Sequence, residues 1–341
     1  MKLLAPFGKL YSRIMDVRNL LYDRDVLKSY ALGARTISVG NLTTGGTGKT
    51  PLVSLIAKTL IDEGEAVCIL TRGYGRKHPK KRVIVSDGER VLVNAETGGD
   101  EPVELAYKLE GKAIIVADPD RVAAAKWARE NFPVTAFILD DGFQHRRARR
   151  DLDIVCIDAT DPCGNGYVLP AGTLRESFKS LKRADAIVIT RTEQVESTID
   201  LEKRLRDRNS TASIFTARTE LQGFLALEEF HAKTQRAQRI QLDRPYAFTG
   251  IGNPANFFRT VENSGTRLNY KCELEDHFKY SEESIKTINA MAKFEDSNCL
   301  ITTAKDAVKL KELQFELPCY IAIAETVIDD IDAFKKLVTS S

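Results

Sequence analysis

Hydrophobic residues alternate along the chain between short continuous runs and longer stretches with helical spacing. The continuous runs include "TISV", "AVCILT", "AIIVAD", "TAFILD", "DIVCIDA" and "AIVIT", separated by segments such as "DRVAAAKWARENF". Buried parallel strands are continuously apolar, because crossover helices cover both faces of their sheet. The pattern therefore predicts an α/β fold built on a parallel sheet.

A second α/β series follows the polar stretch "EEFHAKTQRAQRIQLDRP". It begins with "YAFTGIG" and continues through "NCLITT" and "CYIAIA". We therefore predict an N-terminal helix within residues 1–30, a first domain over 31–220, a linker over 221–244 and a second, smaller α/β domain over 245–341.

The N-terminal segment has the spacing of an amphipathic helix. Its apolar stripe and basic fringe consist of Leu3, Phe7, Leu10, Ile14, Val17 and Leu21, with Lys2, Lys9, Arg13, Arg18 and Arg24. Such a helix can pack on its own domain, or it can lie in a membrane interface, where apolar area and basic residues act together. The pattern alone favours neither interpretation. No apolar run approaches the ~20 residues needed to span a bilayer.

Composition and charge restrict the possible functions. A net charge of +2 is too small to indicate nucleic-acid binding, and six scattered cysteines without metal-type spacing predict buried, reduced thiols. Basic residues cluster in "TRGYGRKHPKKR" and "HRRARR". Without aromatic stacking residues among them, these clusters indicate a solvated face, an anionic substrate or an anionic membrane surface rather than nucleic acid.

A glycine-rich loop, "TTGGTGKT", follows the strand "TISV" and precedes a helical segment. The predicted nucleotide-binding residues are Thr43, Thr44, Gly45, Gly46, Thr47, Gly48, Lys49 and Thr50. Thr43 replaces the first glycine of GxxxxGK[ST], but the flanking strand and helix favour a phosphate-binding loop over a simple turn. Lys49 would contact the β- and γ-phosphates of a nucleotide, and Thr50 would bind Mg²⁺.

Acidic residues at two places in the sequence are candidates for metal binding and for general-base catalysis. Asp140 and Asp141 end the strand "TAFILD", at the Walker B position that holds Mg²⁺ in P-loop proteins. Asp100, in "GGDEP", is by its local pattern a helix cap before Pro102. Hydrogen-bonded to a histidine near the phosphate loop, it would instead be a general base for a sugar hydroxyl.

The ordered motifs resemble one family, the tetraacyldisaccharide 4′-kinases of lipid A synthesis. The resemblance covers roughly residues 7 to 312 and rests on "RNLLYD", "SVGNLTTGGTGKTP", "TRGYGRK", "GGDEP", "ADPDR", "ILDDGFQHRRARRDLDIVCID", "LPAGTLRE", "TGIGNP", "DHFKY" and "TTAKDAVKL". It implies a P-loop kinase that uses ATP and Mg²⁺ to phosphorylate the 4′-hydroxyl of a tetraacylated glucosamine disaccharide 1-phosphate. It also implies a peripheral protein at the cytoplasmic face of the inner membrane, touching the membrane surface through its N-terminal helix. We expect no nucleic-acid partner and no obligate protein partner.

The resemblance also implies roles for particular residues. Asp100 matches the general base, and His277, expected on the second domain, matches its histidine partner. Arg121 and Arg175 match arginines that neutralise charge or hold substrate, and His145 matches a neighbour of the reacting phosphoryl group. The implied metal set is Thr50, Asp140, Asp141, Gln144 and Glu176.

The chain departs from the family pattern at a few positions. Members commonly have histidine and proline where this sequence has Phe278 and Glu275, and "LREP" where it has "LRES". These changes leave position 278 without an assigned role. Two other classes stay open from the residues alone. One is a partitioning or membrane-marking ATPase, disfavoured because Thr44 replaces its signature lysine. The other is a kinase for a small soluble substrate, which has no use for a basic amphipathic N-terminus.

Overall fold

The computed structural model describes residues 4–230 and 237–340. Lys2 and Leu3 of the predicted helix and residues 231–236 of the predicted linker therefore lie outside the described residues. The chain divides into two compact units. One comprises Met1–Arg72, Asp120–Arg218 and Thr326–Ser341, and the other comprises Gly73–Pro119 and Thr219–Glu325.

This division differs from the linear one expected from the sequence. Residues 73–119 were expected in the first domain but belong to the second unit, and residues 326–341 belong to the first. Contacts between segments far apart in the chain cause the difference, for example the hydrogen bond between Asp100 and His277. Hydrophobic periodicity reports local structure and carries no information about such contacts.

The first unit contains a parallel sheet with its helices. Its elements are α1 (Ala5–Asp23), β1 (Arg35–Asn41), α2 (Lys49–Asp62), β2 (Val67–Thr71), α5 (Arg121–Asn131), β5 (Ala136–Asp140), β6 (Leu152–Asp158), β7 (Ala186–Thr190), α6 (Ile199–Arg208), the start of β8 (Ser213–Ala226) and α11 (Ile331–Thr339), with 3₁₀ turns at Phe178–Arg183 and Thr192–Gln194. The strand order is β8-β7-β6-β1-β5-β2, all parallel. The predicted α/β class with a parallel sheet is confirmed.

The register of this sheet brings the predicted phosphate loop and the predicted metal acids to one edge. Val39, near the end of β1, is paired with Asp140, the last residue of β5. A hydrophobic cluster in this unit includes the buried side chains of Phe143, Val155 and Ile187. The cluster fixes the strand ends because a close-packed core resists displacement of its neighbours.

The second unit has its own parallel strands. Its elements are β3 (Val83–Asp87), α3 (Ala95–Gly98), α4 (Asp100–Lys108), β4 (Ile114–Ala117), α7 (Leu227–Phe230), β9 (Pro245–Thr249), α8 (Pro254–Asn263), β10 (Tyr270–Glu273), α9 (Glu282–Phe294), β11 (Cys299–Thr303), α10 (Ala304–Ala307) and most of β12 (Cys319–Ile328). The order β10-β9-β11-β12 is parallel, whereas β3 and β4 pair antiparallel. Phe224, Phe257 and Ile301 belong to its core.

Two further features bear on the sequence predictions. All six cysteines lie among the described residues and are free thiols. Four are buried, as the sequence predicted, whereas Cys163 and Cys272 are only partly buried. None of the described helices combines the length and the apolar character needed to cross a membrane.

Candidate active site

The glycine-rich loop joins β1 to α2 and has an open main-chain cradle. Gly48 precedes α2 with φ 78°, and Gly45 has φ 117°. A Cβ added at Gly45 or Gly46 would meet nothing within 4 Å. No side chain among the described residues caps α2, so the first N–H groups of this helix can bind an anion. The loop has the local geometry of a phosphate site.

Polar groups from neighbouring strand ends fix this loop. Thr190 Oγ1 donates to the carbonyl of Thr47 at 2.9 Å. The Arg191 guanidinium donates to the carbonyl of Gly46 and pairs with Asp158. Sequence reasoning missed these residues, although Asp158 and Thr190 directly end apolar strands, which is where polar side chains gather in parallel sheets.

Lys49 and Arg175 share one carboxylate partner at the end of β5. Arg175 Nη1 lies 2.6 Å from Asp141 Oδ2, and Lys49 Nζ lies 3.5 Å from Asp141 Oδ1. The backbone N–H of Arg175 donates to the carbonyl of Leu42 at 2.6 Å, which holds the arginine beside the glycine-rich loop. Burial raises the pKa of Asp141, but the charges of Lys49 and Arg175 outweigh it and lower the pKa. Asp141 is therefore a carboxylate at neutral pH.

The residues that would hold Mg²⁺ supply hard oxygen ligands. Asp140 is buried and accepts a hydrogen bond from Thr71 Oγ1 at 3.0 Å. Thr50 lies in the first turn of α2. No group of three or more His, Cys, Asp or Glu side chains in the described chain forms a complete metal site. This set fits Mg²⁺, which usually takes one or two carboxylates and completes its shell with phosphates and water.

A second group of titratable side chains surrounds Asp100 in the second unit. His277 Nδ1 lies 3.0 Å from Asp100 Oδ2. The hydrogen bond to Asp100 raises the pKa of His277 above its usual value, against the opposing effect of burial. Burial raises the pKa of Asp100, but the bond to His277 and the charges of Lys309 and Lys305 lower it overall. The pair therefore holds an ionised carboxylate beside an imidazole that protonates easily.

Two glycines position this pair. Gly99, with φ 94°, precedes α4, and a Cβ there would lie 3.0 Å from the carbonyl of Tyr74. Asp100 is therefore the first residue of the helix and not its cap, contrary to the local pattern. A Cβ on Gly250 would lie 2.7 Å from the Cβ of Phe278, and the N–H of His277 donates to the carbonyl of Gly250 at 3.0 Å.

The pair also corrects one expectation about the domains. Asp100 and His277 were expected on different domains. Both lie in the second unit, and their hydrogen bond is formed within it. Phe278, whose role the sequence left open, packs edge-on against Tyr280 at 5.1 Å between ring centroids.

Comparison with known proteins matches this chain to one family. The model of the tetraacyldisaccharide-1-P 4′-kinase family matches residues 1–341. The tetraacyldisaccharide 4′-kinases of Desulfotalea psychrophila and Geobacter metallireducens are each 39% identical to this chain, over 95% and 96% of it and 92% and 94% of their own lengths. The chain belongs to the tetraacyldisaccharide-1-P 4′-kinase family.

A solved structure supports the same conclusion about the fold. A crystal structure of LpxK from Aquifex aeolicus, in complex with ATP, superposes with a TM-score of 0.81 at 34% identity and covers 99% of this chain and 98% of that one. Family membership makes this chain a kinase and removes the partitioning ATPase from consideration.

Two predicted metal residues of this kinase differ in their surroundings. The Glu176 carboxylate is fully buried and pairs with Arg183 at 2.9 and 3.0 Å, and it also accepts from Asn19 and Ser180. This geometry gives no support to a ligand role for Glu176. Gln144 donates through Nε2 to a main-chain carbonyl, but its buried Oε1 has no hydrogen-bond partner in the described chain and can still accept or ligate.

Arg121 and His145 interact electrostatically in the first unit. Arg121 is buried at the start of α5. Burial is the largest cause that lowers the pKa of His145, and the charges of Arg121 and Arg150 lower it further, to about 4. His145 is therefore a neutral imidazole at neutral pH, and it can donate or accept a hydrogen bond without adding charge.

The N-terminal helix, α1, has one side packed on its own domain and one apolar side exposed, so it has features of both interpretations of its sequence pattern. On one side, a Cβ on Gly8 would lie 2.8 Å from Ala171 Cβ, and Tyr11 packs against the core of the first unit. On the other side an apolar stripe is exposed to solvent. The exposed fractions are 60% for Phe7, 57% for Leu10, 55% for Ile14 and 56% for Val17. Four apolar side chains in one exposed row indicate an interaction surface.

The arginines of "HRRARR" are mostly engaged inside the protein. Arg146 donates to the carbonyl of Asn19 and pairs with Asp23, while Arg150 donates to the carbonyls of Gly142 and His145. Arg147 pairs with Asp120. Arg146 therefore ties the loop between β5 and β6 to α1, and Arg150 braces that loop from within. These arginines do not form a free anion-binding surface.

Proposed function

We propose that this kinase transfers the γ-phosphate of ATP to the 4′-hydroxyl of a tetraacylated glucosamine disaccharide 1-phosphate, forming the bis-phosphorylated precursor of lipid A. Family membership supports the activity. The observation that carries the assignment of chemistry to residues is the hydrogen bond between Asp100 and His277, because a partly buried carboxylate paired with an imidazole is a suitable base for a hydroxyl.

Residues 43–50 would hold the triphosphate. The N–H groups at the start of α2 and the open cradle at Gly45 and Gly46 would bind phosphate oxygens. Lys49, which is paired with Asp141 in this structure, would contact the β- and γ-phosphates. Thr50, Asp140 and Asp141, with Gln144, would hold Mg²⁺, which when bound neutralises charge on the phosphates.

Asp100 would act as the general base. Its carboxylate accepts the proton of the 4′-hydroxyl while that oxygen forms a bond to the γ-phosphorus. The bond from the γ-phosphorus to the bridging oxygen breaks, and ADP leaves with that electron pair. His277 holds the Asp100 carboxylate in orientation through Nδ1. Arg175 and Arg121 would stabilise charge on the transferring group, and the neutral imidazole of His145 would supply a hydrogen bond without altering that charge.

The exposed stripe of α1 would lie in a membrane interface. Phe7, Leu10, Ile14 and Val17 would enter the boundary between headgroups and acyl chains, with Lys9 and Arg13 beside them. We therefore propose a peripheral location at the cytoplasmic face of the inner membrane, where the acyl chains of the substrate can stay in the bilayer. No nucleic-acid or obligate protein partner enters this proposal.

Identification of the phosphorylated product tests the proposed function. The kinase is incubated with γ-labelled ATP and the acylated disaccharide 1-phosphate in detergent micelles, and the lipid fraction is separated. We expect label in the lipid, as a phosphomonoester on the 4′-oxygen by ³¹P–¹H correlation. Lys49→Ala should abolish transfer, whereas Lys126→Ala, at an exposed position of α5, should not. Label released only as inorganic phosphate would contradict the proposal.

A further inference from the structure

The segment that follows β11 places a fully buried carboxylate near Asp100. Asp306 has 0% exposure, and its Oδ2 accepts from Thr249 Oγ1 at 2.6 Å, from Thr303 Oγ1 at 2.7 Å and from the N–H of Gly250 at 3.1 Å. Three donors on one oxygen fix its orientation. The other oxygen, Oδ1, accepts no hydrogen bond in the described chain but lies within ion-pair distance of a lysine.

A lysine ammonium lies between this carboxylate and the proposed base. Lys309 Nζ is 3.2 Å from Asp306 Oδ1 and 3.6 Å from Asp100 Oδ2. Its side chain is 11% exposed, and Nζ lies 5.2 Å from the centroid of the Tyr280 ring. Removing an ammonium from water is costly unless opposite charges surround it, so this position is held by both carboxylates.

The contacts of Asp100 are unequal at its two oxygens. His277 Nδ1 and Lys309 Nζ both approach Oδ2, which leaves Oδ1 as the oxygen for an acceptor hydroxyl. Lys305 carries a similar charge nearby, but it lies against other acids, 3.3 Å from Glu101 Oε1 and 3.9 Å from Asp276 Oδ1. Lys309 is therefore the cation that compensates Asp100 directly.

We propose that Lys309, anchored by Asp306, is a positioning residue that fixes the Asp100 carboxylate for proton acceptance. This inference rests on the proposed function, in which Asp100 is the base. The ammonium stabilises the ionised form of Asp100 in a partly buried site, where charges interact more strongly than in water. The charge of Lys309 is among the causes that lower the pKa of Asp100.

Activity and titration of the same variants test the proposal. In Lys309→Met, the acid limb of the pH profile of kcat/KM should move up by about one pH unit. The value of kcat should fall about tenfold, while the KM for ATP stays unchanged. Lys309→Arg should restore most of the acid limb, because the charge is kept. Lys271→Met, which removes an exposed lysine paired with Glu262, is the control and should match the parent kinase.

A readout without turnover separates this inference from the proposed function. ¹³C NMR titration of the Asp100 carboxyl in the substrate-free kinase should show a higher pKa in Lys309→Met, because the charge of Lys309 is among those that lower it. Where Lys309→Met does not fold, the double variant Lys309→Met/Asp306→Asn removes both charges of the buried pair. It should show a smaller shift in the same direction, since loss of the negative charge of Asp306 partly offsets loss of the ammonium.

The possible outcomes lead to distinct conclusions. An unchanged acid limb together with an unchanged Asp100 titration would overturn the role of Lys309 and leave the proposed function intact. Full activity of Asp100→Asn would overturn the proposed function instead, whatever the titration shows.

Discussion

The exposed apolar stripe of α1 should supply most of the affinity for membranes, and replacing two of its side chains tests this. The change is Leu10→Gln together with Ile14→Gln. Glutamine is a good helix former, so the helix itself should persist. Neither side chain is buried in the first unit, since more than half of each is exposed.

The exposed fractions set the expected magnitude. Complete burial of a leucine or isoleucine side chain contributes about 1.5–3 kcal/mol. Because 57% of Leu10 and 55% of Ile14 is still exposed in the protein, each can add about 1–1.5 kcal/mol on entering lipid. Together they account for about 2–3 kcal/mol, which corresponds to membrane partitioning weaker by about 30- to 150-fold.

The assay is co-sedimentation with vesicles of phosphatidylethanolamine and phosphatidylglycerol over a range of lipid concentrations. Ile199→Gln is the matched control, because Ile199 begins α6 and is 73% exposed but lies off the stripe. The control should bind vesicles like the parent protein. Equal binding by the double variant and the parent would refute the assignment of the stripe to the membrane.

Three further outcomes are expected. Gly99→Ala should lower the free energy of unfolding by about 2 kcal/mol, since it adds a 3.0 Å contact with the Tyr74 carbonyl to the strain of a positive φ. His277 stabilises the fold at low pH, because its pKa is raised above 6.5. This contribution to the free energy of unfolding should be lost as pH rises through the raised pKa. His277→Gln should abolish this pH dependence. Glu176→Gln should lower the free energy of unfolding by about 3 kcal/mol, since Arg183 loses its buried partner, without changing the Mg²⁺ concentration needed for activity.

Each of these has a control or a contradicting result. Gly265→Ala has a similar φ of +90° with open space around the Cβ, so it should cost less than Gly99→Ala in chemical denaturation. His78→Gln, at an exposed histidine, should leave the pH dependence of thermal unfolding unchanged. A raised Mg²⁺ requirement in Glu176→Gln would support the ligand role that the sequence resemblance implied.

Local patterns predicted those parts of the fold that local physics determines. The apolar run ending at Asp140 predicted a strand end, and the glycines before Lys49 predicted a loop between a strand and a helix. In the structure β5 ends at Asp140, and this loop joins β1 to α2. The grouping of residues 73–119 with the C-terminal segment could not be read this way, because it depends on contacts such as that between Asp100 and His277, 177 positions apart.

Sequence reasoning likewise predicted roles for only some residues of the candidate site. Roles could be predicted for residues with a familiar place in a motif but not for Arg191 and Lys309, since their roles follow from partners that folding brings together. Lys309 lies in the quoted motif "TTAKDAVKL", but the motif alone gave it no role. Asp158 receives Arg191, and Asp306 receives Lys309. Glu176 shows the opposite case, because the family resemblance implied a ligand, whereas its folded partners form a buried ion pair.

The most direct test of the central claim is the pH dependence of single-turnover phosphoryl transfer in the parent kinase and in Asp100→Asn. With Asp100 as the base, the variant should transfer about 10²- to 10⁴-fold more slowly, bind ATP with unchanged affinity and lose the acid limb of the profile. Transfer at the parent rate with the acid limb intact would contradict the assignment of Asp100.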